Sequence, residues 1–172
     1  RFLFFTRNDN GNFDLYYSEF IKDKWGEITN MGPNVNDPKQ WDSQPSISPD
    51  GKTLLFATYR DTVNFTSDIY KTVRQNGTWS KASPLSINTN GNEKSPFIHP
   101  DNKTLYFSSD SLPGMGGFDI YLCRKNDKGE WGTPINLGYP INTESDEVGF
   151  FVSTDGRKGY FASNKLSGAG GY

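Results

Sequence analysis

Ser48-Pro49-Asp50-Gly51-Lys52, followed at once by Leu54-Leu55-Phe56-Ala57, is a tight turn that feeds a buried strand. Proline presets φ early in the turn and glycine accepts a positive φ at its end. Four apolar residues in a row then require cover on both faces of the strand. The turn returns as His99-Pro100-Asp101-Asn102-Lys103 and as Ser153-Thr154-Asp155-Gly156-Arg157, with the aspartates 51 and 54 residues apart. Two further landmarks keep this interval. Asp14-Leu15-Tyr16, Asp68-Ile69-Tyr70 and Asp119-Ile120-Tyr121 form one series, and Trp25, Trp79 and Trp131 the other. Val35-Asn36, Ile87-Asn88-Thr89 and Ile141-Asn142-Thr143 fall in the same phase. So many landmarks in one order define an internal repeat of about 52 residues.

Each unit reads as four strands. The first precedes the turn, as in Gln44-Pro45-Ser46-Ile47-Ser48. The second is the aromatic and apolar run, seen also in Phe2-Leu3-Phe4-Phe5, Leu105-Tyr106-Phe107 and Gly159-Tyr160-Phe161-Ala162. The third opens on the Asp-apolar-Tyr element and ends at polar turns such as Gln75-Asn76-Gly77. The fourth starts near the tryptophan and leads to the next unit. A four-stranded antiparallel unit cannot bury both of its faces alone, so copies pack face to face, and radial packing makes an all-β propeller. No sustained 3.6-residue period supports a helical solenoid.

Composition agrees. A hydrophobic share of 33% is low for a helical or α/β core, and 13 Phe, 9 Tyr and 4 Trp fill the interior instead. The net charge of −2, without runs of either sign, offers no footprint for nucleic acid or an anionic membrane. No stretch of 18 apolar residues exists to span a bilayer. The single Cys123, within Ile120-Tyr121-Leu122-Cys123, reads as a small buried hydrophobe.

The Ser-Pro-Asp-Gly-Lys, Leu-Leu-Phe and Ser-Asp-Ile-Tyr elements resemble the TolB-type, WD40-like propeller repeat over essentially the whole chain. The run Phe107-Ser108-Ser109-Asp110-Ser111-Leu112-Pro113-Gly114-Met115-Gly116-Gly117-Phe118-Asp119-Ile120-Tyr121 is echoed from Phe161 to Tyr172. It is similar to propellers of Bacteroidota envelope proteins that carry an OmpA-like domain, among them PorE-like proteins of type IX secretion. The resemblance implies a periplasmic, outer-membrane-associated module whose partners are other envelope or secretion proteins. Peptidoglycan would be reached only through an OmpA-like domain outside this sequence.

The repeat divides the chain into units 1–41, 42–92, 93–146 and 147–172, the first and last partial. The last would supply strands one and two and the first strands two to four, one strand too many to complete a shared blade. The expectation is therefore a partial ring of about three and a half blades, taken from a longer polypeptide.

Candidate sites are read against this frame. Asp14, Asp68 and Asp119 recur at one position, which makes them fold determinants that accept backbone N–H bonds rather than catalytic acids. His99 stands in the slot of Ser48 and Ser153, so a turn role is favoured over a hydrolytic triad or a zinc site. Asn8-Asp9-Asn10-Gly11-Asn12-Phe13-Asp14 has the oxygen donors of a calcium loop but lacks the closing bidentate glutamate, and hairpin chemistry explains it better. The acidic Glu144, Asp146 and Glu147 are candidates for a cation or a basic partner. Variable loops after the second strand, Arg7 to Phe13, Arg60 to Ser67 and Asp110 to Phe118, offer Phe65, Leu112 and Met115 as interaction anchors. No residue set is assigned to catalysis, a cofactor or a metal. The leading expectation is a non-catalytic protein-docking propeller. A glycan or peptidoglycan-fragment binder, favoured by aromatics and abundant Asn, and the gating propeller of a peptidase or hydrolase are the alternatives.

Overall fold

A computed structural model of the chain describes residues 1–165, apart from 10, 61, 62 and 64. The echo at 166–172, part of the Arg60 to Ser67 loop and Asn10 lie outside the described residues. The described residues contain strands and turns and no helix.

The first sheet holds β1 (Phe2–Asp9), β2 (Asn12–Ile21), β3 (Lys24–Trp25) and β4 (Thr29–Asn30). The second holds β5 (Asp42–Ile47), β6 (Thr53–Thr58), β7 (Asp68–Gln75), β8 (Thr78–Trp79) and β9 (Ser83–Pro84). β10 (Glu93–Ile98), β11 (Thr104–Ser109), β12 (Asp119–Arg124) and β13 (Ile135–Asn136) form the third, and β14 (Glu147–Val152) and β15 (Gly159–Ser163) the fourth. All pairings are antiparallel, between consecutive strands except for β2 with β4 and β7 with β9. These are the blades of a propeller, two of them with all four strand positions filled.

The hydrophobic core lies between blades. Leu54 and Phe56 face the first blade with Leu15, Met31 and Val35. Leu55, from the same strand, faces the third with Ile98, Leu105 and Phe107. The run Leu54 to Ala57 is therefore apolar without alternation because each face meets a different neighbour, and these residues are 0–2% exposed. Each such side chain contributes about 1.5–3 kcal/mol by leaving water. Tyr106 and Phe97 turn the other way, toward Ile120, Phe150 and Val152. The matching runs of the outer blades are more open, with Phe2, Leu3, Tyr160 and Phe161 exposed, since the described chain covers only one of their faces.

Two irregularities repeat. The first strand of the second, third and fourth blades bulges, with Gln44, Ser95 and Gly149 at φ of 55°, 53° and 68°. At the second blade's bulge, Gln44 Oε1 accepts from Ser95 N at 2.8 Å, and Gln44 N donates to Thr6 Oγ1 at 3.1 Å. The bulge at Gln44 thus links the first strand of the second blade to the first strand of the third and to the second strand of the first. The fourth strand, which starts at the tryptophan as expected, is split by a one-residue offset after it: Phe20 pairs Trp25, yet Tyr17 pairs Thr29. Ser18 Oγ and Thr72 Oγ1 donate to the Gly26 and Ser80 carbonyls at 3.0 and 2.6 Å, holding the outer strand where the ladder breaks.

The Pro-Asp-Gly turns form as expected. Ser48 Oγ donates to Asp50 Oδ1 at 2.6 Å and accepts from Thr53 N at 2.8 Å. Gly51, Asn102 and Gly156 all take φ near 60–70°. His99 takes the serine's place with different bonds: its Nδ1 accepts from Asp101 N at 3.2 Å, and Thr104 N donates to Asp101 Oδ1 instead, at 2.8 Å. Asp101 is held down at about 2: desolvation opposes ionisation, but bonds from Lys103 N, Thr104 Oγ1 and Thr104 N outweigh it. Cys123 is buried, and burial pushes its thiol up to about 12.

Candidate functional site

Antiparallel pairing of Asp42 with Thr58, and of Thr58 with Asp68, brings the start of each first strand, the end of each second and the start of each third to one end of the blade. That end carries the connections between blades and the long loops after the second strands. The tight turns occupy the other.

Two buried devices hold the loop end. The first is an asparagine clamp. Asn36, Asn88 and Asn142 each accept from a third-strand N–H, of Leu15, Ile69 and Ile120, at 2.8–3.0 Å, and donate back to the same residue's carbonyl. Side-chain amide thus replaces a missing neighbouring strand. The second is a buried acid heading each first strand. Glu93 accepts from Thr89 N, Thr89 Oγ1 and Ser109 Oγ, and Glu147 from Thr143 N, Thr143 Oγ1 and Ser163 Oγ, at 2.7–2.9 Å. The shorter Asp42 accepts from Asp37 N and pairs with Arg60 Nη2 at 2.7 Å. Burial raises the Asp42 pKa, against the pull of these partners.

A third element joins neighbouring blades. In the second-to-third joint, Asn92 Oδ1 accepts from Ser67 N at 2.9 Å, while Asn92 N and Nδ2 donate to Asp110 at 2.7 and 2.8 Å. In the third-to-fourth joint, Asp146 Oδ1 accepts from Phe118 N at 2.9 Å and its other oxygen from Asn164 Nδ2 at 2.8 Å. The first-to-second joint is different. The same three places hold Phe13, Trp41 and Tyr59, with ring centroids 5.2 and 5.7 Å apart and planes near perpendicular. Equivalence is fixed by one shared bond: Tyr59, Asp110 and Asn164 each donate their N–H to the carbonyl of Trp41, Asn92 and Asp146. Trp41 is 50% and Tyr59 41% exposed.

The glycine-rich loop of the third blade presses on the connection that leads into the fourth. A Cβ on Gly116 would lie 2.0 Å from Ser145 O, and one on Gly117 2.1 Å from Asp146 Oδ1. Asp119 Oδ2 accepts from Met115 N at 2.5 Å and fixes the loop tip, the role expected of the repeated aspartate.

The sequence candidates fall into different environments. Phe65 is 80% and Met115 51% exposed on this end. Leu112 is not displayed: it packs against the core between the second and third blades. The acidic trio is dispersed. Glu147 is 0% exposed and consumed by the strand-head bonds, Asp146 belongs to the blade joint, and only Glu144 faces water, 3.8 Å from Lys165 Nζ. Asn8 and Asn12 flank a hairpin, with Gly11 at φ 91° donating to Asn8 Oδ1. Among the described residues no three His, Cys, Asp or Glu side chains gather around a common point. Trp41 and Tyr59 were missed by the sequence reading; the signal available was a fourth tryptophan out of phase with Trp25, Trp79 and Trp131.

Clefts open at both ends of the blades, among them one of about 300 Å³ at the loop end beside Tyr139, Ile141, Glu147 and Lys165. One of about 350 Å³ opens between the first two blades beside Phe2, Phe4, Ile47 and Arg74, and its only carboxylate, Asp50, is engaged in the turn.

No protein-family model matches the chain, and no curated protein sequence matches it. Solved structures do. A candidate TolB from Agrobacterium tumefaciens superposes at TM-score 0.64 with 19% identity, over 98% of this chain and 52% of that one. TolB from Acinetobacter baumannii gives 0.52 with 18% identity, over 96% of this chain and 41% of that one. At such identities the likeness defines the fold, a TolB-like β-propeller. The chain spans about half the length of these structures or less. No described helix is long and apolar enough to cross a membrane.

Proposed function

We propose that this chain is a non-catalytic propeller module of the bacterial cell envelope, working in the periplasm as a docking platform for other proteins through its loop end. The observation that carries this reading is the division of labour at that end. The buried polar side chains Glu93, Glu147 and Asn142 are spent on hydrogen bonds that hold the blades together, while Phe65, Met115, Trp41 and Tyr59 are exposed. Exposed aromatics and methionine on a rigid scaffold are the residue types of interface anchors. The TolB-like fold and the sequence resemblance support the periplasmic setting. The Gly-rich signature further supports a parent protein with an OmpA-like domain, associated with the outer membrane and with secretion.

The test is a pull-down from envelope extracts with the wild-type chain and with a Phe65→Ser/Met115→Ser variant. A specific co-purifying protein that is lost with the variant supports docking through these loops. Capture of no protein, or capture unchanged by the variant, defeats it.

A second reading, a glycan or peptidoglycan-fragment site, is favoured by the exposed Trp41 and Tyr59 rings, which could stack on a sugar. Calorimetry with muropeptides decides it, and absence of heat removes it.

A further inference from the structure

Asp14 in the first blade and Asp119 in the third hold the same place, as do Tyr16 and Tyr121, and Asn30 and Asn136, each asparagine lying across the strand pair from its tyrosine. The two trios are wired differently. In the first blade Asn30 Nδ2 donates straight to Asp14 Oδ2 at 3.0 Å, and the Tyr16 hydroxyl donates to Asp9. In the third blade the glycine-rich loop takes the carboxylate instead: Asp119 Oδ2 accepts from Met115 N at 2.5 Å and from Gly116 N at 3.4 Å. Two groups that satisfy one another in the first blade are thereby left over. Asp119 Oδ1 meets no donor and Asn136 Nδ2 no acceptor among the described residues, although both atoms are buried and Asp119 is only 1% exposed. The second blade has no such pair, because Pro84 stands at the asparagine's place.

The two orphans gather round Tyr121. A Cβ on Gly114 would stand 1.7 Å from Asp119 Oδ2 and 2.9 Å from the Tyr121 hydroxyl oxygen, so the glycine backbone roofs both side chains. Burial raises the Tyr121 pKa, Asn136 opposes the rise and Asp119 adds to it, as expected of groups that surround the phenol.

The hydrogen-bonding demand at this point is specific. Asn136 Oδ1 accepts from Asn142 Nδ2 and from Gly138 N, both at 2.7 Å, which fixes the amide so that its NH2 group and not its oxygen is the free end. The Tyr121 proton is spent on the Leu112 and Pro113 carbonyls, each 3.0 Å away, leaving the hydroxyl oxygen able to accept. An occupant must therefore accept one hydrogen bond and donate two. A cation would face the amide N–H and is unsuited; a water molecule matches, with the three partners that a buried water usually has.

We infer that one water molecule is bound between Asp119 Oδ1, Asn136 Nδ2 and the Tyr121 hydroxyl, beneath Gly114, as a fixed part of the frame that holds the Met115 loop. The water restores the link that the first blade makes directly, while leaving the other carboxylate oxygen to the loop. The inference is independent of the docking function and concerns how the loop tip is held.

Diffraction from crystals of the full chain, at a resolution that shows ordered water, tests the site directly. The expected result is a single peak about 2.7–3.2 Å from all three atoms, as fully occupied as the atoms around it, and none between Asp14 and Asn30. A peak at about 2.3–2.6 Å identifies a cation, a direct Asp119–Asn136 bond copies the first blade, and no peak leaves the site dry; each of these overturns the inference. In solution, magnetisation transferred from water should reach the loop amides of Gly114 to Gly116. It should still do so in Tyr121→Phe, where two of the water's three partners remain and the exchanging phenol proton is gone. First-blade amide resonances unchanged from the wild type confirm that this variant is folded. Transfer absent from the wild type, or lost in the folded variant, counts equally against the bound water.

Discussion

Replacing Asn142 by alanine takes away a side chain that is 0% exposed and makes three bonds, to Ile120 N and O at 2.8 Å and to Asn136 Oδ1 at 2.7 Å. The losses are unequal. Ile120 O still accepts from Leu137 N at 3.1 Å, and Asn136 Oδ1 still accepts from Gly138 N at 2.7 Å. Ile120 N alone is orphaned, in a fully buried residue. An unsatisfied buried N–H costs about 1–3 kcal/mol and each remaining lost bond up to about 1 kcal/mol, so the total is about 3 kcal/mol. For a chain of this size that lowers the melting midpoint by roughly 6–12 °C. Urea titration followed by tryptophan fluorescence measures it, with the denaturant slope unchanged. Asn88, only half-buried, should give a smaller loss on the same substitution. Asn142→Asp adds a pH signature. A carboxylate there keeps the Ile120 N–H bond but faces two acceptor oxygens, so its folded-state pKa rises above the unfolded value. The penalty is then absent at low pH, grows as pH rises through the unfolded-state pKa, and levels off above the folded-state one. An Asn142→Ala loss below about 1 kcal/mol, or an Asn142→Asp penalty flat with pH, would refute the clamp as a load on stability.

Other expectations follow from the same geometry. Ser95→Gly relieves a φ of 53° at a position where the fourth blade already has Gly149, and should stabilise the chain by up to about 1 kcal/mol in the same titration. Gly116→Ala, whose Cβ would meet the Ser145 carbonyl at 2.0 Å, should cost about 1–3 kcal/mol and shift the Met115 amide resonance as the loop lifts off the connection between the third and fourth blades. Asp101, with its pKa depressed to about 2, contributes stability that is present above the unfolded-state value and lost as pH falls through about 2. Asp101→Asn should therefore flatten the acid limb of the stability profile below about pH 4. Cys123 should ignore a thiol reagent at about pH 8 in the native chain and react on unfolding in denaturant.

The fold was legible because its determinants repeat. Asp50, Asp101 and Asp155 announce a turn whose side-chain bonds the structure displays, and the run Leu54 to Ala57 announces a strand covered on both sides. The phase of Asn36, Asn88 and Asn142 was visible, but its reason was not. The clamp bridges 19–22 residues, and no local pattern reveals which backbone group an amide will reach. Glu147 shows how an acidic cluster misleads: its alignment with Glu93 already marked it as a repeated, structural position, whereas charge density suggested a surface. Leu112 was read by its loop context, and only tertiary packing turns it inward. The bulges at Gln44 and Ser95 were hidden because neither residue type advertises a positive φ.

The three-residue joint has a consequence for how such a chain can change over generations. In one joint Ser, Asn and Asp meet; in another, Phe, Asp and Asn, with donor and acceptor exchanged; in the third, three rings. A single replacement strands an amide against a ring or sets two carboxylates together, so these positions are best exchanged as matched sets. Duplicated blades can then acquire a new outer surface by switching a whole set, while the strands beneath keep their register.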